Sequence, residues 1–266
     1  MPTSFPSDLR ITIIQTELYW EDPFANRQMF ERYFDSIIEQ TDIIVLPEMF
    51  TTGFTMNAIA NAEEMKGETL LWMQSQAKKK NGVIIGSLII LEKGKYFNRL
   101  IWMKPDGESE WYDKRHLFRL SGEEKVFSHG NKKMFATVNG WKICPLICYD
   151  LRFPVWSRRT AKENYDVIIF TANWPERRIN AWKQLLPARA VENQAYVVGV
   201  NRIGNDGNGI YHSGDSIACN YRGEKVSKIK SGEKSIETVS FSYSDLEHFR
   251  NHHPFDLDAD DFTLMP

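Results

Sequence analysis

A cysteine stands where an apolar stretch of the chain gives way to polar residues. Cys148 lies in ICPLICYDLRFP (143–154), directly after the strand-like run Trp141–Ile147. Polar groups at the end of a buried strand commonly point into a cleft at the edge of a sheet, which makes Cys148 a candidate nucleophile. A free cysteine also serves as a small buried hydrophobe, and we expect that role for Cys144, which lies within the strand. Spacing alone leaves both roles open for Cys148.

A catalytic cysteine needs an activating neighbour, because a thiol with its ordinary pKa of about 8.5 is mostly protonated at neutral pH. The segment YDKRHLF (112–118) offers Lys114 at a strand end and His116 just beyond it. A Cys/Lys pair and a Cys/His pair therefore both remain open. Glu48 follows the apolar run IIVL and a proline, with apolar neighbours on both sides. An acid in such surroundings suits a general base.

These candidates lie at the ends of strands that alternate with helices. Apolar periodicity predicts strands near 11–14, 42–46, 83–91, 96–103, 109–113, 141–147, 166–170 and 195–200, and helices near 30–38, 69–80, from about 155, and 178–193. Alternating strands and helices place helices on sheet faces, and the hairpin signals indicate mixed sheets. The sequence therefore predicts an α/β fold built as a layered sandwich.

Two of the predicted strands have similar surroundings. TDIIVLPEMF (41–50) and YDVIIFTANW (165–174) each contain an acid, an apolar run and then a polar or proline-containing corner. This likeness indicates an internal pseudo-repeat. Asn173 and Trp174 follow the second run as Glu48 follows the first, so both are candidates for the same site, although aromatic packing also explains Trp174.

The composition indicates one globular domain. The chain has 266 residues, 42% of them hydrophobic, and no linker rich in Pro, Gly or Ser. We therefore expect a single domain over residues 1–266, with a tail from about 251 that carries Asp256, Asp258, Asp260 and Asp261. The 33 basic and 35 acidic residues lack the charge excess of a nucleic-acid binder. The N-terminal residues do not form a secretory signal, and the run 83–91 is too short to cross a bilayer, so we expect a cytoplasmic protein that does not bind membranes.

Motifs for cofactors are absent from the sequence. It contains no G-x-G-x-x-G after a strand, no G-x-x-x-x-G-K-[ST], no H-E-x-x-H and no G-x-S-x-G. The glycine-rich stretch 204–209 is not followed by a helical pattern, so it predicts a turn or a substrate loop. The three cysteines lack the clustered ligands of a zinc site, and their odd number argues against a disulfide framework. We expect neither a metal nor an organic cofactor.

Three segments in order resemble the nitrilase superfamily of carbon–nitrogen hydrolases: LPEMF with Glu48, YDKRHLF with Lys114 and CYDLRFP with Cys148. Within that superfamily, YDKRHLFRLSGEE, ANWP, ARAVENQAYVVGVNR and GDGNGIYHSGDS resemble the bacterial omega-amidases, which deamidate 2-oxoglutaramate or 2-oxosuccinamate. The resemblance implies a four-layer α-β-β-α sandwich whose subunits pair as a homodimer. It also implies a small amide and water as substrates.

The resemblance further implies a Glu-Lys-Cys triad. Cys148, held as a thiolate by the Lys114 cation, would attack the amide carbonyl, while Lys114 and the backbone N–H of Tyr149 meet the oxyanion. Glu48 would carry protons to the departing ammonia and from the water that cleaves the thioester. No metal or organic cofactor is required for this chemistry.

Auxiliary residues follow from the same resemblance. The family places a second glutamate between the lysine and the cysteine, which implies Glu123 and leaves its neighbour Glu124 as the alternative. A guanidinium is the natural partner of a 2-oxo-carboxylate, and Arg115, Arg152 and Arg202 are candidates for that role.

Three alternatives stay open at the level of sequence. The same triad could act on another linear amide, an N-carbamoyl compound or a nitrile. A Cys-His hydrolase or acyltransferase would use His116 in place of Lys114. In a third, non-enzymatic reading, the scaffold only binds a metabolite or a partner.

Overall fold

The computed structural model describes residues 5–260 and 262–264; Met1–Ser4, Asp261, Met265 and Pro266 lie outside the described residues, as does that part of the predicted tail. The strands are β1 (Leu9–Gln15), β2 (Ile43–Val45), β3 (Val83–Glu92), β4 (Lys95–Met103), β5 (Ser109–Asp113), β6 (Ala136–Val138), β7 (Trp141–Ile147), β8 (Val167–Ala172), β9 (Tyr196–Asn201), β10 (Ile203–Asn205), β11 (Tyr211–Ser213), β12 (Ile217–Cys219) and β13 (Ser235–Phe241). The α-helices are α1 (Pro23–Ser36), α2 (Ala58–Asn61), α3 (Glu68–Lys80), α4 (Glu123–Val126), α5 (Pro154–Ser157), α6 (Ile179–Asn193) and α7 (Tyr243–His252). Short 3₁₀ turns cover Arg119–Ser121, Cys148–Arg152, Glu176–Arg178 and Phe255–Asp258.

Two mixed sheets organise the molecule. The first has the strand order β13-β1-β2-β3-β4-β5, and the second has the order β12-β9-β8-β7-β6. In the first sheet β2 is flanked by two parallel partners, β1 and β3, and in the second β8 is flanked by the parallel strands β7 and β9. The remaining ladders of both sheets are antiparallel. The predicted mixture of parallel strands and hairpins is confirmed.

The side chains of β2 show how the layers stack. Ile43 and Val45 belong to the core that the first sheet shares with the second, whereas Ile44 between them belongs to a core with α1 and α3. Successive side chains of a strand point to opposite faces, so each apolar strand serves two layers. Helix α6 packs on β9 and β12 of the second sheet. The order is helices, sheet, sheet, helix, which confirms the predicted α-β-β-α sandwich.

The two central strands repeat one local arrangement. The backbone N–H of Asp42 donates to Arg10 O at 2.9 Å, and the Asp42 carboxylate accepts the Arg10 N–H at 2.8 Å. Asp166 forms the same pair of bonds with Lys142, at 2.8 and 2.9 Å. The pseudo-repeat suggested by sequence thus exists as two equivalent strand starts. Each central strand runs from its aspartate toward one of the corners that hold Glu48 and Asn173.

One predicted helix is much shorter than expected. The sequence predicts a helix from about Val155, but α5 ends after a single turn. The following backbone finds other partners: Arg159 N–H donates to Asn193 Oδ1 at 2.8 Å, and Glu163 N–H donates to the hydroxyl of Thr160 at 3.1 Å. Polar side chains that offer hydrogen bonds to the backbone compete with helix formation in this way.

The C-terminal segment follows α7 along the surface. Its described residues from Asn251 onward are exposed, and Asp256 approaches Arg159 at 3.9 Å. In the part of the chain that the structure describes, no helix is long and apolar enough to span a membrane.

Candidate active site

Cys148 occupies a strained corner directly after β7. Its backbone has a φ of 43°, in the left-handed region that non-glycine residues adopt uncommonly and that recurs at functional sites. Asp150 anchors the corner, because its carboxylate accepts the Ile147 N–H at 3.1 Å and the Tyr112 hydroxyl at 2.7 Å. The Cys148 side chain lines a cavity and Cys144 does not. Burial raises the pKa of Cys144 to about 12, as befits a core thiol.

Lys114 lies between two glutamates in the interior. Its ammonium donates to Glu48 Oε1 at 2.8 Å and to both carboxylate oxygens of Glu123 at 3.0 and 2.9 Å. All three side chains are fully buried. Burial alone would lower the pKa of Lys114, but the charges of Glu123 and Glu48 outweigh it and raise this pKa. Lys114 is therefore a cation and not a base.

Four separate elements deliver this cluster. Lys114 follows β5, Glu48 follows β2 and Glu123 begins α4. Asn98 of β4 joins the two acids, donating to Glu48 Oε1 at 2.8 Å and to Glu123 Oε1 at 3.1 Å. Buried carboxylates need such donors, since an unsatisfied charged oxygen is costly in the interior.

Asn173 holds Glu48 from the second sheet. The Asn173 N–H donates to Glu48 Oε2 at 2.8 Å, and its side-chain amide donates to the backbone oxygen of Glu48. The corner after β2 and the corner after β8 are therefore joined by hydrogen bonds. The pseudo-repeat brings the ends of both sheets to one site.

Burial and the charges of the cluster together shift the pKa of Cys148. Burial and the Glu48 carboxylate raise the pKa of Cys148 well above its ordinary value, and Lys114 only partly opposes them. The thiolate that the resemblance implies is therefore favoured by Lys114 and opposed by burial and by Glu48. Burial is the largest of these influences, and the two carboxylates beside the single ammonium offset the attraction of Lys114 for a thiolate.

The cavity beside Cys148 has a volume of about 140 Å³. That is small against the roughly 300–1,000 Å³ of pockets that take drug-sized ligands. Its walls combine apolar and aromatic side chains, Phe54, Phe118, Leu120, Tyr149, Trp174, Pro175 and Ile210, with the basic side chains Lys114, Arg152, Arg177, Arg178 and His212 and one acid, Asp206. The site therefore has room for a small molecule and an excess of positive charge.

Most of the substrate-binding residues predicted from the sequence lie at this cavity. Tyr149, Arg152, Asn173 and Trp174 all line it. Arg115 does not, and this expectation needs correction. Its guanidinium stacks over Trp156 at 5.4 Å and donates to Gly130 O at 3.3 Å.

Arg202 is likewise absent from the lining of the cavity. It is fully buried and donates to Ile203 O at 3.1 Å and to Asn205 O at 2.8 Å. Burial lowers the pKa of Arg202 to about 10 and that of its neighbour His212 to about 4.

His116 is turned away from Cys148. Its Nδ1 lies 2.8 Å from Asp150 Oδ1, and its ring stacks on Phe153 with centroids 3.8 Å apart. It lines a different surface pocket from the one that contains Cys148. The geometry thus favours the Cys/Lys pair over the Cys/His pair.

Sequence reasoning missed two residues of the site. Asn98 gives no local signal, because its role depends on the pairing of β4 with β5 and on the fold of α4. Arg178 follows the ANWP segment in ANWPERR. The position after a buried strand that made Asn173 and Trp174 candidates could also have indicated Arg178. Among residues 5–260 and 262–264, no group of three His, Cys, Asp or Glu side chains could hold a metal ion.

Comparison with known proteins identifies the class that this sandwich and its buried Glu-Lys-Cys cluster define. The model of the carbon-nitrogen hydrolase family matches residues 10–251. The chain belongs to that family, and it is a hydrolase of carbon–nitrogen bonds other than peptide bonds.

Individual relatives narrow the class. Omega-amidase YafV of Escherichia coli (strain K12) is 41% identical over 256 residues, covering 96% of this chain and 98% of YafV. The 2-oxoglutaramate amidase of Bacillus subtilis (strain 168) is 32% identical over 202 residues, covering 74% and 77% of the two chains. The crystal structure of a CN-hydrolase superfamily protein from Xanthomonas campestris, with an arsenic adduct in its active site, superposes with a TM-score of 0.95 at 39% identity, covering 97% of this chain and 100% of the other.

Proposed function

We propose that this protein is an omega-amidase that hydrolyses 2-oxoglutaramate or 2-oxosuccinamate to the 2-oxo diacid and ammonia. The observation that carries the proposal is the buried contact of Lys114 with Glu48 and Glu123 at the wall of a small, basic cavity that also exposes Cys148. The names of the relatives from Escherichia coli and Bacillus subtilis support the same substrate class.

In the first step Cys148 attacks the amide carbon. Glu48 takes the thiol proton as the sulfur–carbon bond forms, a role supported by the raised pKa of the buried Cys148 thiol. The Lys114 ammonium and the Tyr149 N–H stabilise the oxyanion. Glu123 keeps Lys114 charged and in position through its two contacts.

In the second step the carbon–nitrogen bond breaks and Glu48 gives its proton to the leaving nitrogen, so that ammonia departs and a thioester remains. Glu48 then removes a proton from water, whose oxygen attacks the thioester carbon. The carbon–sulfur bond breaks, the proton returns to sulfur, and the carboxylic acid product leaves. Every proton passes through a group that the site contains.

The shape and charge of the cavity support a small anionic amide. Arg152 and Arg178 line it, and within the described residues neither guanidinium forms an ion pair. A carboxylate at the far end of the substrate would supply the missing partner. A simple nitrile or a neutral amide would leave these charges without a counter-ion.

The deciding experiment is ammonia release from 2-oxoglutaramate, 2-oxosuccinamate, glutamine, asparagine and a simple nitrile. We expect turnover of the 2-oxo amides, loss of that turnover in Cys148→Ala, and its retention in the matched control Cys144→Ala. Equal rates with glutamine or with the nitrile would move the protein to another substrate class. Activity that survives Cys148→Ala would refute the mechanism, and a Cys148 that no substrate-like electrophile labels would favour a binding scaffold.

We also propose that the chain forms a single domain, pairs as a homodimer and acts in the cytoplasm. The resemblance to the omega-amidases supports the pairing. Light scattering of the purified protein should give twice the 31.0 kDa of one chain, and denaturant should unfold it in one cooperative transition. A mass of one chain would contradict the dimer.

A further inference from the structure

Arg178 is held in the cavity by aromatic contacts. Its backbone oxygen accepts the indole N–H of Trp174 at 2.8 Å, at the boundary where α6 begins. Its guanidinium lies 4.6 Å from the ring centroid of Phe118, and that ring packs edge-on against Tyr149 at 5.0 Å. The stacking leaves the N–H edge of the guanidinium free for a ligand.

The charge of Arg178 is uncompensated within the described structure. Its guanidinium is within 4 Å of no described carboxylate and donates no hydrogen bond to a described group, whereas the buried Arg250 pairs with Asp166 at 2.7 Å. Asp206 lines the same cavity, but its Oδ1 accepts the backbone N–H groups of Asn208 and Ile210. The Asp206 carboxylate therefore stabilises its own turn and does not form an ion pair with Arg178.

Arg178 and Cys148 line the same cavity. Burial lowers the pKa of Arg178 and the adjacent Arg177 lowers it further, whereas a thiolate at Cys148 raises it. The Arg178 guanidinium therefore shares one cavity with the nucleophile, and it has no ion-pair partner among the described residues.

We propose that Arg178 binds the carboxylate at the 2-oxo end of the substrate and so sets the specificity of the site. This assignment rests on the proposed omega-amidase function and deepens it. A planar guanidinium grips a carboxylate through two parallel hydrogen bonds, and Phe118 fixes its plane. The grip holds the distal amide against Cys148.

The same arrangement explains discrimination between 2-oxo amides and amino acids. Glutamine carries an ammonium beside its carboxylate, and Arg152, Arg177 and Arg178 would repel that ammonium in a cavity partly shielded from water. A 2-oxo group carries no charge, so the carboxylate is the only charged group of a 2-oxo amide that interacts with these arginines. Arg178 therefore selects for the anion and the basic wall selects against the amine.

The test compares two substrates across matched variants. 2-Oxoglutaramate is compared with pentanamide, which has the same carbon chain and no carboxylate. The variants are Arg178→Gln, Arg178→Lys and Arg152→Gln. Arg222→Gln is the control, because Arg222 stacks on Phe249 at 4.8 Å on an exposed surface in the same manner.

We expect Arg178→Gln to raise KM for 2-oxoglutaramate about 10- to 100-fold with little change in kcat, since a charged hydrogen-bonded contact is lost. Turnover of pentanamide should stay within about twofold, and Arg178→Lys should recover part of the loss. A turnover-independent readout is binding of 2-oxoglutarate to Cys148→Ala by calorimetry, which should weaken by a similar factor when Arg178→Gln is added.

The outcomes distinguish failure of the Arg178 assignment from failure of the proposed omega-amidase function. If wild type does not prefer 2-oxoglutaramate, the proposed function fails and the assignment falls with it. If wild type does prefer it but Arg178→Gln leaves both KM and 2-oxoglutarate binding unchanged, the assignment alone fails. Loss confined to Arg152→Gln, or equal loss with both substrates, also overturns it.

Discussion

Strands β4 and β5 carry two ion clusters on their opposite faces, built from neighbouring residues. Asn98 and Lys114 face the first cluster, which we call the lysine cluster and define as Lys114, Glu48 and Glu123. Arg99 and Asp113 face the other way and form the arginine cluster with Glu92. Successive side chains of a strand point to opposite faces, so one residue of offset separates the two. Each cluster combines one cation with two carboxylates.

The two clusters differ in solvent exposure and in the groups next to them. The three side chains of the lysine cluster are fully buried, whereas Arg99, Asp113 and Glu92 are 2%, 18% and 40% exposed. Arg99 has a two-point contact with Asp113, at 2.6 and 2.9 Å, and an aromatic ring on each side. The lysine cluster instead adjoins Cys148 and a cavity. Identical charge composition thus serves stability on one face and, as we propose, catalysis on the other.

The largest expected effect comes from Glu48→Gln in the lysine cluster. Removing the proton carrier should lower kcat for ammonia release about 10²- to 10⁴-fold. The fold should persist, because the amide is close in shape and Lys114 keeps Glu123 as its counter-ion. Kinetics and thermal unfolding of the same preparation check this. Full activity in the variant would remove Glu48 from the mechanism.

A smaller and opposite effect is expected from Asp113→Asn in the arginine cluster. The variant leaves the buried guanidinium of Arg99 with one carboxylate, which should cost about 2–3 kcal/mol of unfolding free energy. Values of kcat and KM should stay within about threefold of wild type, since the cluster faces away from the cavity. Urea unfolding and steady-state kinetics measure both quantities. Lost activity with unchanged stability would mean that the two clusters are coupled through β5.

Much of the fold could be predicted from the sequence because the signals for strands and helices are local. Short apolar runs with polar ends predicted the strands, and the similar segments 41–50 and 165–174 contain the two central strands β2 and β8. Glu48, Lys114 and Cys148 could be named because each follows a strand within a short motif. The structure brings their side chains together, and their catalytic roles remain predictions.

What the sequence could not provide depends on side-chain direction and on summed charge. Arg115 adjoins Lys114 in sequence, yet it turns toward Trp156 and away from the cavity. Asn98 joins two acids only because β4 lies beside β5. The pKa of Cys148 depends on its burial and on the carboxylates and the ammonium around it, which no motif states.

The smallest expected effect is a shift in the pKa of Cys148, which compares the two clusters without measuring turnover. An anion disfavours a neighbouring thiolate, so the Glu48 carboxylate raises the pKa of Cys148, and Glu48→Gln must lower it. The midpoint of the pH profile for alkylation of Cys148 by iodoacetamide should therefore move to lower pH. Asp113→Asn, which removes a carboxylate from the opposite face, should leave that midpoint unchanged.

Mass spectrometry of the Cys148 peptide separates this reaction from labelling of Cys144 and Cys219, both buried. An unchanged midpoint in Glu48→Gln would mean that burial, and not the carboxylate, sets the pKa of Cys148. A shift of equal size in Asp113→Asn would mean that charge acts through the sheet regardless of face. Only a shift confined to Glu48→Gln agrees with a proton carrier beside its nucleophile, because the lysine cluster adjoins Cys148 and the arginine cluster lies on the opposite face.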